Sequence, residues 1–326
     1  MRKSVVENHP QLWHYTTALG LHGILTSQQL WATNILYLND AEEFTGFFDR
    51  KLLCILKEGV REGIAEALKT TEGVNFISTA GGPEALEENL SNGLLGSLRS
   101  NTLNLKAYVT SFCCTPQTLD SDDGLLSQWR GYGSDGGYAI VFDTQGLYEL
   151  LRDEQRRFFY SYVHWGDVDY YDGDAVTGAS HEEKLNWEAA ILKTVASIVH
   201  ERNRNPVEAL YEPILSLSTL HKHRGFREEC EVRIAAMTLP REHTRKAGDN
   251  RLEKAVHFTP RSGLLVPYIA LFERPTGEVA KLPIRKIIVG PHPEKLKRQK
   301  AVEMLLDQLG IEAEVVPSDI PYLGRS

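Results

Sequence analysis

Two short polar constellations carry the chemistry of this chain. The first is His14-x-Thr16, closing the aromatic run Leu12-Trp13-His14-Tyr15. In an extended strand positions i and i+2 share a face, so an imidazole and a hydroxyl point the same way. The second is Glu229-x-Glu231-x-Arg233, inside the run 225–235. Strand alternation there sets two carboxylates and a guanidinium on one face and Cys230, Val232 and Ile234 on the other. Carboxylates and a guanidinium aimed into one cleft perturb each other's ionisation, as active sites require. The same residues also read as a half-solvated sheet face with an internal ion pair, and His14 as a satisfied histidine at a strand end. Composition and spacing leave both readings open.

Other reactive residue types give plainer readings. Trp129 and Tyr132 read as core or cleft-wall aromatics before ligand stackers, and Cys113 as an inert buried thiol. The four cysteines, Cys54, Cys113, Cys114 and Cys230, show no CxxC or metal spacing. Adjacent Cys113 and Cys114 are not expected to bridge each other, and the expectation is a reducing cytoplasm. A net charge of −8 argues against a globally basic nucleic-acid binder. Local basic stretches, Lys222-His223-Arg224 and Lys295-Leu296-Lys297-Arg298, read as solvated faces or phosphate contacts. The N-terminus has no apolar signal core and no run approaches the ~20 apolar residues of a membrane span, so the chain is expected to be soluble, unprocessed and without a membrane partner.

These residues must be positioned by a substantial core, which 326 residues at 42% hydrophobic content can supply. The opening reads as strand, helix, strand, with Thr17 as helix cap and Leu19, Ile24 and Leu25 as an apolar stripe. A helix follows over 41–70, then a Gly/Thr/Ser-rich loop over 71–83 and a helix over 84–98. Strand signals resume over 105–113, a short helix carries Leu126, Gln128, Trp129 and Tyr132, and a strong strand spans 138–143. The cluster Gly133–Gly137 precedes that strand without leading into a helix, so it reads as a tight hairpin entry and not as a phosphate loop. Helices are expected over 147–157, 181–204, 206–223 and 293–309. Further strands are expected over 158–171, 225–235, 263–272, 284–291 and 312–316. The reading is one α+β domain over 1–326, a mixed, mainly antiparallel sheet with helical insertions at 40–104 and 180–224.

The ordered set His14-Tyr15-Thr16, Leu30-Trp31-Ala32, Tyr37-Leu38-Asn39-Asp40, Ser111-Phe112-Cys113, Trp129-x-x-Tyr132, Gly137-Tyr138 through Phe142-Asp143, Glu229-x-Glu231-x-Arg233 and Ile288-Val289-Gly290-Pro291 resembles a widespread bacterial domain of unknown function. The resemblance spans about 12–291 and departs at Phe226, where Trp is expected. A second resemblance is to the His-Tyr-Glu class of ADP-ribosyltransferases: His-x-Thr ending a first strand, then a helix, a second strand and a late strand bearing Glu. It implies a split sheet and NAD as substrate. It also implies ribose contacts from His14 and Thr16, a nicotinamide-flanking aromatic at Tyr37, and Glu231 as the catalytic carboxylate with Glu229 its rival. His14 and Tyr15 fall in the implied NAD-binding set, with Asn39, Ser111, Trp129, Tyr132 and Arg233. Tyr15 replaces the small residue usual between His and Thr.

The expected function is therefore an ADP-ribosyltransferase-like enzyme that modifies a protein, a nucleic acid or a small molecule with NAD, in a toxin or phage-defence setting. Cleavage of the glycosidic bond develops positive charge on the ribose, which a fixed carboxylate stabilises, while Arg233 suits a carboxylate or a pyrophosphate. Two alternatives stand beside it. One is a non-enzymatic nucleotide or nucleic-acid sensor, the other a metal-dependent hydrolase with Glu229, Glu231 and Asp40 as oxygen ligands.

Overall fold

Strand β1 (Gln11–Thr16) alternates Leu12, His14 and Thr16 with Trp13 and Tyr15, and both sets are needed because it lies inside a sheet covered on two faces. The computed structural model describes residues 4–38, 52–102, 106–114, 123–132, 136–171, 181–201, 210, 213, 219–238, 249–274 and 280–321. Over these residues the protein is α+β, with a mixed and mostly antiparallel open sheet. Two compact units divide the chain. One comprises Met1–Asn34, Tyr108–Val168 and Gly225–Ser326, the other Ile35–Ala107 and Asp169–Arg224.

In the first unit the helices α1 (Val5–Asn8) and α2 (Ala18–Ser27) flank β1, and β2 (Leu30–Asn34) follows. Next come β3 (Ala107–Cys113), whose first residue falls in the other unit. The short helix Leu126–Tyr132, β4 (Tyr138–Asp143) and the helix Thr144–Arg157 follow it. Two strands, Phe158–Phe159 and Tyr162–Asp167, precede the second unit's later segment, and Glu231–Met237 opens the return. The chain closes with strands Leu252–Glu253, His257–Arg261, Leu264–Leu271 and Ile284–Val289, the helix Lys295–Leu309 and the strand Glu314–Pro317.

The sheet order runs 257–261, 264–271, β2, β3, β1, β4, 284–289, 314–317; strand 231–237 pairs with β3 and with 162–167. Register sets Thr16 opposite Tyr138 and His14 opposite Ile140 on β4, and Trp13 opposite Cys113 on β3. Among the sheet's described ladders, the pairing of 284–289 with 314–317 is parallel and the others are antiparallel. One face buries Leu12, Phe112, Ile140, Phe142, Val232, Ile234 and Ile269 against Leu21, Leu25, Leu147, Leu151 and Val302 of the helices. The opposite face holds a smaller cluster, Trp13, Tyr15, Cys113, Trp129, Ala139, Val141 and Ile288. Burying these apolar surfaces drives the sheet together and fixes which side chains point to which side.

Gly136 and Gly137, the described end of the expected turn cluster, meet the chain just past 284–289. Residues 133–135 lie outside the described residues, but Gly136 has φ +92°, and the Gly290 amide donates to the Gly137 carbonyl at 3.0 Å. A Cβ at Gly290 would overlap the Gly136 carbonyl, so two glycines allow backbone to touch backbone where β4 begins and 284–289 ends.

The second unit is mainly helical: Leu53–Ala67, Thr71–Thr79, Pro83–Thr102 and His181–Glu201. Gly59 and Gly63 lie against Ile191 and Val195; a Cβ at either would come within 2.8 Å and 2.7 Å of those side chains. Small residues thus let two helices approach closely over a buried seam that includes Ile55, Val60 and Ile64. The expected loop over 71–83 is instead largely helical. Thr70 caps it by accepting from the Gly73 amide at 3.0 Å, Glu72 sits in the first turn and Ile77 is buried. Capping and burial there override a loop-like composition. The end of the expected helix over 206–223 is also different: His221–His223 is a strand paired in parallel with Asp169–Tyr171.

A disulfide joins Cys114, just past β3, to Cys230, just before strand Glu231–Met237, with Cα atoms 5.3 Å apart. Adjacent Cys113 and Cys114 do not bridge each other; the bond joins distant cysteines, because the pairing of β3 with 231–237 brings their ends together.

Candidate functional site

The end of β1 builds the first half of the candidate site. Thr17 caps α2 by accepting the Gly20 amide at 3.2 Å, which turns the chain sharply after Thr16. Any Cβ at residue 20 would collide with the Thr16 hydroxyl, so glycine there lets that hydroxyl lie against the first turn of the helix. His14 is half-buried, its ring 5.8 Å from Phe112 and its Nδ1 3.0 Å from the Ser111 carbonyl. A carbonyl only accepts, so Nδ1–H is the donor and Nε2 keeps its lone pair. Burial lowers the pKa of the imidazole, outweighing the opposite pull of the Ser111 carbonyl. The site therefore presents a neutral ring whose Nε2 accepts a hydrogen bond from a hydroxyl.

The second half lies on strand Glu231–Met237. Arg233 grips Glu231 through two bonds, Nε to Oε1 at 2.7 Å and Nη2 to Oε2 at 3.0 Å. Both residues are buried, at 5% and 6% exposure, so the pair is a desolvated fork and not a surface ion pair. Gly166 stands opposite Arg233 in the neighbouring strand, and the Val168 amide donates to the Glu231 carbonyl at 2.8 Å. Glu229 does not share this face. It lies in the 3-10 turn Arg224–Glu229, and the strand starts only after Cys230, whose φ is +44°. The alternation expected through 229–233 is broken by that left-handed residue and its disulfide.

Nor do the two halves share a face of the sheet. His14 shares its face with Leu12, on the side of the large core, whereas Glu231 and Arg233 alternate with Val232 and Ile234, which occupy that side. Local alternation thus turns the imidazole and the carboxylate to opposite sides. The structure unites His14 with Ser111, and Glu231 with Arg233, as two separate pairs.

The remaining expected residues distribute as follows. Tyr15 is buried on the other side from His14, its hydroxyl accepting from the Leu125 amide at 2.8 Å and its ring 4.8 Å edge-on from Trp129. Trp129, 1% exposed, donates through Nε1 to the Asp123 carbonyl at 3.0 Å. It is a core anchor at this position. Ser111 contributes its backbone carbonyl to His14. Tyr37, half-buried in the 3-10 turn Ile35–Tyr37, belongs to the second unit. Asn39 and Asp40 lie outside the described residues, as does the side chain of Tyr132. Among the described residues no group of three His, Cys, Asp or Glu side chains is placed to hold a metal ion.

Sequence reasoning passed over other polar contacts of comparable chemistry. His9 Nε2 meets Asp167 Oδ1 at 2.5 Å, and Lys254 Nζ lies 2.7 Å from the buried Glu154 carboxylate, which also accepts from Tyr160 at 2.6 Å. Trp31, 47% exposed, stacks on Tyr268 with centroids 4.1 Å apart. Each joins residues far apart in the chain, and no local spacing announces them. Among the described residues no helix is long and apolar enough to cross a membrane.

A model of the family described as "Protein of unknown function (DUF2971)" matches residues 128–234. The stretch runs from the Trp129 helix through β4 to the Glu231–Arg233 pair, and over it the chain is similar to that family of unknown function. The searches of curated proteins and of solved structures returned no match.

Proposed function

We propose that this protein is an ADP-ribosyltransferase-like enzyme that takes NAD as its substrate, with the end of β1 as its ribose-binding pole. The observation that carries the reading is the fixed, neutral His14 ring, with Nδ1–H committed to the Ser111 carbonyl and Nε2 left as an acceptor. A ribose hydroxyl is the donor that such an acceptor suits, and the Thr16 hydroxyl two residues on supplies a second polar contact. In the reaction, the bond between the ribose carbon and nicotinamide breaks with its electron pair leaving on nicotinamide. The acceptor's oxygen or nitrogen bonds that carbon and releases its proton to solvent. Glu231 is the carboxylate assigned to the developing positive charge, on resemblance, with Glu229 as the rival. Transfer to a protein, a nucleic acid or a small molecule fits this chemistry equally, as does a toxin or defence role.

A second reading, a nucleotide-binding sensor without turnover, is favoured by one observation. Glu231 is engaged at both oxygens by Arg233 and faces away from His14. The hydrolase reading has less support, since Glu229 and Glu231 do not share a strand.

The test is nicotinamide release from NAD by the purified protein, run beside calorimetric NAD binding, for wild type, His14→Ala and Glu231→Gln. Release abolished by both substitutions supports the transferase. Binding that depends on His14 but gives no release at any acceptor tried supports the sensor. Absence of both binding and release overturns the NAD reading.

A further inference from the structure

We infer that Cys114 and Cys230 form a redox-exchangeable latch that takes low-molecular-weight thiols of the glutathione class and controls the entry into strand Glu231–Met237. This inference is independent of the NAD reading. The bond spans 116 residues of sequence and sits where the chain, having re-entered the first unit at Gly225, turns into the strand that carries Glu231 and Arg233. Besides the sulfurs, the two residues are tied by backbone: the Cys114 amide donates to the Cys230 carbonyl at 2.7 Å. Cys114 is buried while Cys230 is partly exposed, so an incoming thiol reaches the disulfide from the Cys230 side.

Two features set this bond apart from an inert staple. Cys230 holds φ +44°, a conformation that a residue with a Cβ adopts only when its surroundings impose it. Its neighbours on one side are a 3-10 turn whose residues Arg224–Glu228 are exposed. Once the sulfurs part, the constraint on that turn weakens at its C-terminal end, while Val232 and Ile234 keep the strand itself in the core. The buried Cys113 thiol points to the other face, beside Trp13, and is not positioned by alternation to replace Cys114.

The exchange balances as follows. A glutathione thiolate attacks Cys230 Sγ, the Sγ–Sγ bond breaks, and the Cys114 thiolate leaves and takes up a proton. A second glutathione thiolate attacks the mixed disulfide, releasing the Cys230 thiol and glutathione disulfide. Two electrons pass from two glutathione molecules to the protein disulfide, and glutathione disulfide reverses the sequence.

The experiment equilibrates the full chain with glutathione and glutathione disulfide across ratios from oxidising to strongly reducing, traps the thiols by alkylation, and maps them by mass spectrometry. The expected result is reversible conversion of the Cys114–Cys230 peptide pair between disulfide and dithiol within that range. Amide hydrogen exchange should accelerate by about tenfold or more in peptides covering 224–231 on reduction, with β4 unchanged. The variant Cys230→Ser should show the fast exchange at every ratio, and wild type should match it only when reduced. A pair that stays oxidised at the most reducing ratio is a permanent staple and overturns the inference. Thiols that stay free at the most oxidising ratio, or a bond that maps to Cys113, overturn it as well.

Discussion

At the scale of single residues, the informative quantity is what each polar atom is already committed to. His14 has one nitrogen spent on the Ser111 carbonyl, and burial keeps its ring neutral. Its folded pKa lies below the ordinary histidine value, so as pH falls through about 6.5 the unfolded chain binds the proton first. Stability attributable to His14 is therefore full above that pH and declines as pH falls toward the lowered folded value. Urea unfolding from pH 8 to 5 should show this decline in wild type and a smaller one in His14→Gln. Under the NAD reading, affinity should hold through about pH 6.5 and weaken only as pH falls through the lowered folded value, because only then does a protonated Nε2 cease to accept. His14→Ala should weaken NAD binding by roughly fivefold to tenfold at pH 7.5, the worth of one net hydrogen bond. The Glu231–Arg233 pair makes a different forecast. Arg233→Met removes the two-bonded guanidinium from a buried carboxylate and should cost about 3–5 kcal/mol in urea titration. Adding Glu231→Gln to that variant should recover a large part of the loss, and a double variant as unstable as the single one would contradict the Glu231 charge as its source.

At the scale of elements, close approach decides positions that composition does not. Gly59 and Gly63 place one helix of the second unit against Ile191 and Val195 of another. Gly63→Val inserts atoms where a Cβ already lies 2.7 Å from Val195 and should cost about 1–3 kcal/mol, with partial rescue by Val195→Ala; calorimetric or urea unfolding of the paired variants checks it. Gly290 and Gly136 play the corresponding role in the first unit, where a Cβ would strike a carbonyl instead of a side chain that can yield. A side-chain clash relaxes by a rotamer change, whereas a backbone clash shifts two strands. Gly290→Ala should accordingly depress Tm more than Gly63→Ala.

At the scale of the whole molecule, the chain leaves and re-enters its sheet, forming two units from interleaved segments. The long helix Thr144–Arg157 is fastened in the first unit by Glu154, buried with Lys254, Tyr160 and the Phe272 amide around it. Burial raises the Glu154 pKa, with Lys254 the strongest pull the other way, so removal of the lysine leaves only Tyr160 and the Phe272 amide against desolvation. Lys254→Met should destabilise the first unit by about 3–5 kcal/mol near neutral pH, less in acid where the carboxyl is protonated. Hydrogen exchange should show the loss in β4 and the 264–271 strand while peptides from 53–67 and 187–199 keep their protection. Equal loosening of both sets would mean that the two units unfold as one cooperative block.

Local signals determined much of this protein. Apolar, β-favouring runs marked β1, β4 and the late strands, Thr17 marked the start of α2, and the helical periods over 84–98, 147–157 and 293–309 match helices that extend a few residues beyond or within those bounds. Period and capping are properties of neighbours in sequence, and they survive without knowledge of the fold. The helix Thr71–Thr79, the strand His221–His223 and the break at Cys230 were not legible, because tertiary burial, strand pairing and a long-range disulfide outweigh local preference there. The candidate site divides in the same way. The sequence identified His14, Thr16, Glu231 and Arg233 as the residues able to do chemistry, and their i, i+2 spacing placed each pair on one face. Only the sheet decided that His14 is oriented by Ser111, that Arg233 closes on Glu231, and that the two pairs look to opposite sides, since the order and pairing of strands far apart in the chain set which face each one turns to the core.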